Sequence, residues 1–201
     1  MSPSRELIAR LLSGRELYDE VVQRRIAAAR ESVFIATANV KAMYVEDQHG
    51  TFRPILDRFA ALEKRGVELR LLHADLPSRP FRAAFDRKRR LTEGGLALKI
   101  CPRVHFKMVL VDRAWLYLGS ANLTGAGLGA KDEHRRNFEL GFATEDFDTI
   151  DRASALFESV WTGVECGPCK LRDLCPDPIG PATEAPLVKL GQARRITRPK
   201  R

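Results

Sequence analysis

His105-Phe106-Lys107-Met108-Val109-Leu110-Val111-Asp112, followed by residues 113–118 and then Gly119-Ser120-Ala121-Asn122, is the stretch of sequence that decides the fold. Its two apolar runs, 108–111 and 114–118, are separated by Asp112-Arg113. This pattern predicts two short strands joined by a tight polar turn. Side chains two positions apart on a strand point to the same face, so His105 and Lys107 are expected to lie side by side.

Four polar side chains are expected to meet where these strands end. Gly119 permits a sharp exit from the second strand, which brings Ser120 and Asn122 to the end of the first. A lysine ammonium neutralises the non-bridging oxygens of a phosphate, and a hydroxyl and a carboxamide donate hydrogen bonds to them. The imidazole of His105 is then left to attack phosphorus or to move a proton. The pattern therefore predicts a phosphate site.

Written as H-x-K-x4-D-x6-G-S-x-N, the segment resembles the HKD motif of the phospholipase D superfamily at every fixed position. The resemblance covers roughly residues 15–161 and implies an α/β fold, in which a mixed β-sheet is flanked by helices on both faces. It implies that His105, Lys107, Ser120 and Asn122 are catalytic. Glu139 stands where the family has the acidic residue that hydrogen-bonds the catalytic imidazole. Asp112 lies in the turn between the strands, so we assign it a structural, charge-balancing role.

The mechanism implied by this resemblance is a two-step, metal-free phosphodiester exchange. One histidine attacks phosphorus, and a second protonates the leaving alcohol and then activates water. The sequence contains one H-x-K, at His105. In relatives with a single motif, two chains build one site across a two-fold axis. The resemblance therefore implies a homodimer in which both subunits contribute His105 to a shared cleft.

The flanking sequence predicts alternating helices and strands. We predict a short helix over residues 5–12, and a second helix that opens with the Ser13–Glu16 capping box and runs to about Arg30. Nearly continuous apolar runs predict further strands, and amphipathic spacing predicts the remaining helices. The strands are expected at 32–38, 67–72, 96–101 and 136–142, and the helices at 54–64 and 147–161.

The net charge of +8 favours a polyanionic partner. Basic residues concentrate in 79–90 and in 187–201, where a phosphate-tracking role and a plain solvated surface are both open. DNA or RNA is the expected partner, and the expected activity is that of an endonuclease. The alternatives are a phospholipid hydrolase or transferase and an inactive nucleic-acid-binding module. The sequence has no apolar run of membrane-spanning length and no signal-peptide pattern, which predicts a cytoplasmic protein without a membrane partner.

Three of the four cysteines form the cluster C-x2-C-x5-C-P at Cys166, Cys169 and Cys175. In a cytosolic chain a close cluster indicates a metal site more than disulfides. The spacing resembles the cysteine trio of iron–sulfur RecB-type nucleases, which implies a [4Fe–4S] cluster with Cys101 as fourth ligand. Zinc on the same thiolates, a disulfide, or no metal remains open. The expected organisation is a catalytic domain at 1–165, a metal-binding extension at 166–176 and a flexible basic tail at 177–201.

Overall fold

The apolar runs of the sequence form one seven-stranded mixed sheet, in the order β1-β9-β8-β7-β2-β5-β6, and a separate small hairpin, β3-β4. The computed structural model describes residues 6–178. The strands are β1 Arg10–Ser13, β2 Ser32–Thr37, β3 Tyr44–Glu46, β4 Phe52–Pro54, β5 Glu68–His73, β6 Ala97–Ile100, β7 Lys107–Val111, β8 Trp115–Gly119 and β9 Leu140–Thr144. The helices are a π-type helix at Leu17–Ile26, α1 Ile55–Lys64, α2 Arg79–Asp86 and α3 Phe147–Trp161, with short helical turns at Leu91–Gly95 and Arg172–Leu174.

Strand direction decides which residues meet at each end of the sheet. Strands β2, β5 and β6 are parallel, whereas β7, β8, β9 and β1 alternate antiparallel to their neighbours. As a result, the carboxyl ends of β2, β5, β6, β8 and β1 lie at the same edge as the amino ends of β7 and β9. We call this edge of the sheet the upper edge.

The two faces of the sheet carry separate hydrophobic clusters. Alternate residues of β2 show the division, because Val33 and Ile35 face the π-type helix, α1 and α2, whereas Phe34 faces α3. On the second face Phe34 stacks on Phe157 of α3 at a centroid distance of 5.5 Å. The mixed sheet with helices on both faces confirms the fold predicted from the sequence.

The prediction of a short helix over residues 5–12 is wrong, because Arg10–Ser13 forms β1 at the edge of the sheet. This strand pairs antiparallel with β9, which supplies hydrogen bonds that an isolated two-turn helix would lack. Leu12 is buried, whereas Leu11 is exposed, so the period is that of a strand. The following helix is present at Leu17–Ile26, and half of the predicted capping box forms. The Glu16 carboxylate accepts a hydrogen bond from Ser13 N–H at 3.3 Å, whereas no side chain caps the start of the helix.

The segment after α3 consists of turns and the short helix Arg172–Leu174, and it lies beside the end of β6. Asp177 Oδ2 accepts a hydrogen bond from Ile100 N–H at 3.2 Å. The predicted tail at 177–201 lies outside the described residues except for Asp177 and Pro178, and the three domain boundaries stay predictions. Among the described residues, no helix has both the length and the apolar character needed to cross a membrane.

Candidate active site

The residues of the H-x-K and G-S-x-N segments meet at the upper edge. His105 is exposed in the loop before β7, and Lys107 is the first residue of that strand. Lys107 pairs across the hairpin with Gly119, the last residue of β8. Ser120 and Asn122 therefore continue the chain beside Lys107, as the sequence predicts. Glu139 immediately precedes β9 at the same edge.

Lys107 is held close to the imidazole. Its Nζ donates a hydrogen bond to the His105 carbonyl oxygen at 2.7 Å and lies 3.5 Å from His105 Nδ1. The lysine is half-buried, whereas the histidine is exposed. A fixed cation beside an accessible imidazole is suited to holding a phosphate in front of a nitrogen nucleophile.

The side-chain oxygen and the side-chain nitrogen of Asn122 have different roles. Its Oδ1 accepts three hydrogen bonds of 3.1 Å, from Thr37 Oγ1 and from the backbone N–H groups of Ala38 and Asn39. These bonds anchor the side chain to the carboxyl end of β2 and leave the amide N–H groups as its donors. Thr37 also accepts from Leu123 N–H at 3.0 Å. Sequence reasoning missed Thr37, whose only signal is its position at the end of a buried strand.

Ser120 and Glu139 form a hydrogen-bonded pair. The hydroxyl of Ser120 donates to Glu139 Oε2 and accepts from Leu140 N–H at 3.2 Å. Asn137 Nδ2 donates to the other carboxylate oxygen at 3.0 Å. Within residues 6–178, the polar neighbour of the His105 ring is Lys107, so the predicted contact between Glu139 and an imidazole stays a prediction.

Asp112 lies at the opposite end of β7 from Lys107. At about 3.3 Å per residue, five strand positions separate the two residues by roughly 16 Å. The Asp112 carboxylate accepts hydrogen bonds from the backbone N–H groups of Arg30, Glu31 and Ser32 at 3.1, 2.8 and 3.0 Å. These contacts tie the hairpin turn to the start of β2 and are consistent with the structural role assigned from the sequence.

Three glycines allow the chain to pack closely around the site. A Cβ on Gly119 would lie 2.8 Å from the Gly141 Cα, and one on Gly141 would lie 2.6 Å from the Leu118 oxygen. Gly127 plays a comparable role in the loop after Asn122, because a Cβ there would lie 2.7 Å from the Asn122 oxygen. The glycine-rich loop is thus buried against the backbone of Asn122.

The basic segment 79–90 is mostly engaged within the chain. Lys88 forms an ion pair with Asp57, Arg89 with Glu93 at 2.7 Å, and Arg90 with Glu63 at 3.3 Å. The segment runs away from the upper edge along α2, so only its first residues lie near the site. Other cationic side chains stand on the loops at the upper edge itself, which sequence reasoning did not single out: Lys41, Arg103, Lys131, Arg135 and Arg136.

All four cysteines line one small cavity beside the end of β6. Burial raises the pKa of the Cys101 and Cys175 thiols, and the neighbouring cysteines raise both further. Within residues 6–178, no three His, Cys, Asp or Glu side chains already surround a common point as metal ligands do. The structure therefore brings Cys101 to the cluster, while metal binding stays a prediction.

The family model described as "Cardiolipin synthase, PLD-like domain" matches residues 22–161, which is most of the chain. The chain belongs to the phospholipase D-like family. This match agrees with the resemblance carried by His105, Lys107, Asp112, Ser120 and Asn122. A comparison with curated proteins gives no match.

Solved structures of the same fold include NucT from Helicobacter pylori, with 17% identity, a TM-score of 0.56 and coverage of 78% of this chain and 96% of that one. Nuc from Salmonella typhimurium, a phospholipase D family member, has 18% identity, a TM-score of 0.57 and coverage of 77% and 95%. The archaeal chromatin protein TrmBL2 has 16% identity, a TM-score of 0.52 and coverage of 78% and 52%. At these identities, the likeness shows the fold.

Proposed function

We propose that this chain is an endonuclease that hydrolyses phosphodiester bonds of DNA or RNA through a phosphohistidine, in a site shared by two subunits. The observation that carries the proposal is the convergence of His105, Lys107, Ser120 and Asn122 at the upper edge, with an accessible imidazole and cationic and amide donors beside it. This set supplies a nucleophile and an electrostatic cradle for a phosphate.

In the first step, a ring nitrogen of His105 bonds to phosphorus, and the ester P–O bond breaks. The leaving alcohol takes a proton from His105 of the second subunit. In the second step, that same histidine removes a proton from water, whose oxygen attacks phosphorus and releases the first histidine. Lys107 and the amide of Asn122 hold the non-bridging oxygens, and no metal takes part in either step.

An exposed apolar surface next to the site supports the shared arrangement. Leu11 and Leu140 are on one face of the β1–β9 pair and are 66% and 61% exposed, and Phe138 is fully exposed. The backbone N–H of Leu140 contacts Ser120 directly, so this surface borders the phosphate site. A second copy packed here would cover apolar area and bring the second His105 to the cleft. The Glu139 carboxylate, which retains acceptor capacity, would then orient that imidazole.

The proposal that the substrate is a nucleic acid rests on charge. Cationic side chains on the loops at the upper edge, together with the net charge of +8, suit a polyanionic strand that passes over an open site. TrmBL2, which shares this fold, is a chromatin protein that binds DNA. A phospholipid substrate is the second candidate, because apolar Phe138 stands beside the site and the family model is named for cardiolipin synthase. An inactive binding module is the third, and the complete set of polar site residues argues against it.

The deciding experiment measures cleavage of labelled single- and double-stranded DNA and RNA in excess EDTA. We compare the wild type with His105→Ala and with a control, His49→Ala, which alters an exposed histidine of another loop. Cleavage that survives EDTA, persists in the control and disappears in His105→Ala is expected. Hydrolysis of phospholipid vesicles without cleavage of any nucleic acid would transfer the proposal to a lipid substrate. Binding without cleavage of either would favour the inactive module.

The shared site is tested with Leu140→Asp, which places a charge in the apolar surface. This variant is expected to be monomeric by analytical ultracentrifugation and inactive, whereas His105→Ala is expected to be dimeric and inactive. Val164→Asp, at a 69% exposed position after α3, is the matched control and is expected to behave as wild type. A Leu140→Asp protein that stays dimeric would refute this choice of interface, and an active monomer would refute the shared site.

A further inference from the structure

The cavity beside the end of β6 unites cysteines from two distant parts of the chain. Cys101 directly follows β6, and its N–H donates to the His73 oxygen at 2.8 Å. Cys166 and Cys169 occupy a turn beyond α3, and Cys175 follows the short helix, with its Sγ 3.9 Å from the Ile100 oxygen. The four residues span 75 positions yet line the same space.

The segment 162–178 has little else to hold it against the domain. It contains no strand, and its only helix is the three-residue turn Arg172–Leu174. The large apolar side chains Val164 and Leu174 point outward, with 69% and 54% exposure. A segment that buries so little apolar surface does not offset the entropy of ordering its backbone. Small extensions of this kind are characteristically held by disulfides or by metal, and all four cysteines are present as free thiols.

Apolar and cationic side chains surround the four cysteines in the cavity. Leu72, Val160 and Leu171 belong to the apolar part of the cavity lining. Lys99 and Arg103 also line the cavity, and the Arg103 side chain is hydrogen-bonded to Cys169. Four thiolates leave a net negative charge on either a zinc ion or an iron–sulfur cluster, which these cations would balance.

We propose that Cys101, Cys166, Cys169 and Cys175 are the four thiolate ligands of one metal centre, which fastens segment 162–178 to the end of β6. In the metal-bound protein the four sulfur atoms would point toward one common position. The C-x2-C spacing and the proline after the last cysteine suit a [4Fe–4S] cluster. A zinc ion and a [4Fe–4S] cluster would use the same four ligands, and the experiment below shows which of them is bound.

The proposed metal centre would affect the candidate active site, because one loop connects the two. The loop 101–106 carries both Cys101 and His105, and it closes with a hydrogen bond of 2.9 Å from Val104 N–H to the Cys101 oxygen. Ligation of Cys101 therefore restrains the loop that positions the imidazole. This consequence rests on the proposed function, whereas the metal site does not.

The test is metal analysis of the full chain purified without oxygen. Iron, acid-labile sulfide and zinc are measured per chain, together with the visible absorption spectrum, for the wild type, Cys101→Ser and Cys169→Ser. Asp173→Asn is the control, because this exposed acid belongs to the same segment and does not line the cavity. Proteolysis within 162–178 is followed before and after chelation, as a readout independent of catalysis.

The wild type and the Asp173→Asn control are expected to hold either about four irons with matching sulfide and a broad visible absorption, or about one zinc without colour. Each serine variant is expected to lose most of the metal, and 162–178 to become protease-sensitive. A metal-free wild type that also fails to take up iron and sulfide or zinc would overturn the site. Full metal content in Cys101→Ser would overturn the four-ligand assignment. Loss of metal in the variants with no nuclease activity in any protein would refute only the proposed function.

Discussion

Replacing Asp112 with alanine tests whether this residue of the motif acts in structure or in chemistry. In the folded protein its carboxylate accepts hydrogen bonds from the N–H groups of Arg30, Glu31 and Ser32, all at the start of β2. Asp112 also has a φ of +52°, and the next residue, Arg113, has a φ of +51°. Alanine would remove the acceptor and would adopt this left-handed conformation less readily than aspartate does.

The magnitude follows from these contacts. Hydrogen bonds to a charged acceptor contribute about 1.5–3 kcal/mol each, but two of the three donors are near solvent and can bind water in the variant. We therefore take about 1 kcal/mol for each N–H, or about 3 kcal/mol for the three. The left-handed conformation adds up to about 1 kcal/mol. The expected loss in the free energy of unfolding is about 3–4 kcal/mol, a large part of the stability of an ordinary domain.

The assay is urea denaturation followed by circular dichroism, with cleavage measured at a temperature where the variant is folded. Asp151→Ala, at an exposed position on α3, is the matched control and should change stability by less than about 0.5 kcal/mol. Asp112→Ala is expected to lose stability and to retain cleavage per folded molecule. Unchanged stability together with lost cleavage would refute the structural role and place Asp112 in the chemistry.

Three further predictions concern pH, backbone packing and salt. Burial lowers the pKa of His73 to about 4, so below pH 6.5 the unfolded chain takes up a proton that the folded chain excludes. The free energy of unfolding should therefore fall by about 3 kcal/mol between pH 7 and 4. In denaturation experiments at several pH values, this part of the loss should be missing in His73→Phe and present in His49→Gln. Gly141→Ala should destabilise the fold by about 1–3 kcal/mol in thermal or urea melts, because its Cβ meets the Leu118 oxygen, whereas a Cβ at Gly167 meets open space and the same change there should be silent. Binding of a DNA or RNA strand, measured by fluorescence anisotropy, should weaken steeply as salt rises, and a flat response would contradict an electrostatic interface.

The local part of the site was predictable because its geometry follows from strand periodicity. His105 and Lys107 are two residues apart, and the tight turn at Asp112-Arg113 returns the chain so that Gly119 pairs with Lys107. These relations depend on short stretches of sequence, and they place Ser120 and Asn122 without any long-range contact. The buried runs that became β2 and β5 were predictable for the same reason.

Contacts between distant segments were not predictable from the sequence. The β1 strand exists because β9 offers an edge for pairing, although residues 5–12 alone favour a helix. The charges of 79–90 suggested a binding rim, but acidic partners on α1 and on the turn after α2 neutralise three of them. Cys101 could be counted as a fourth cysteine, but only the fold brings it to the other three.

Two residues of the motif form hydrogen bonds with opposite ends of β2. Asp112 accepts from the N–H groups at the start of β2, and Asn122 accepts from those just beyond its end. The hairpin of β7 and β8 therefore holds β2 by a side chain at each end, in addition to the strand pairing with β7. Lys107, the first residue of this hairpin, and His105, which lies just before it, are fixed relative to the central strand by these two sets of hydrogen bonds. Because a nucleophile and its phosphate must meet within a fraction of an ångström, a motif that also anchors its own hairpin keeps the imidazole and the phosphate-binding groups in position.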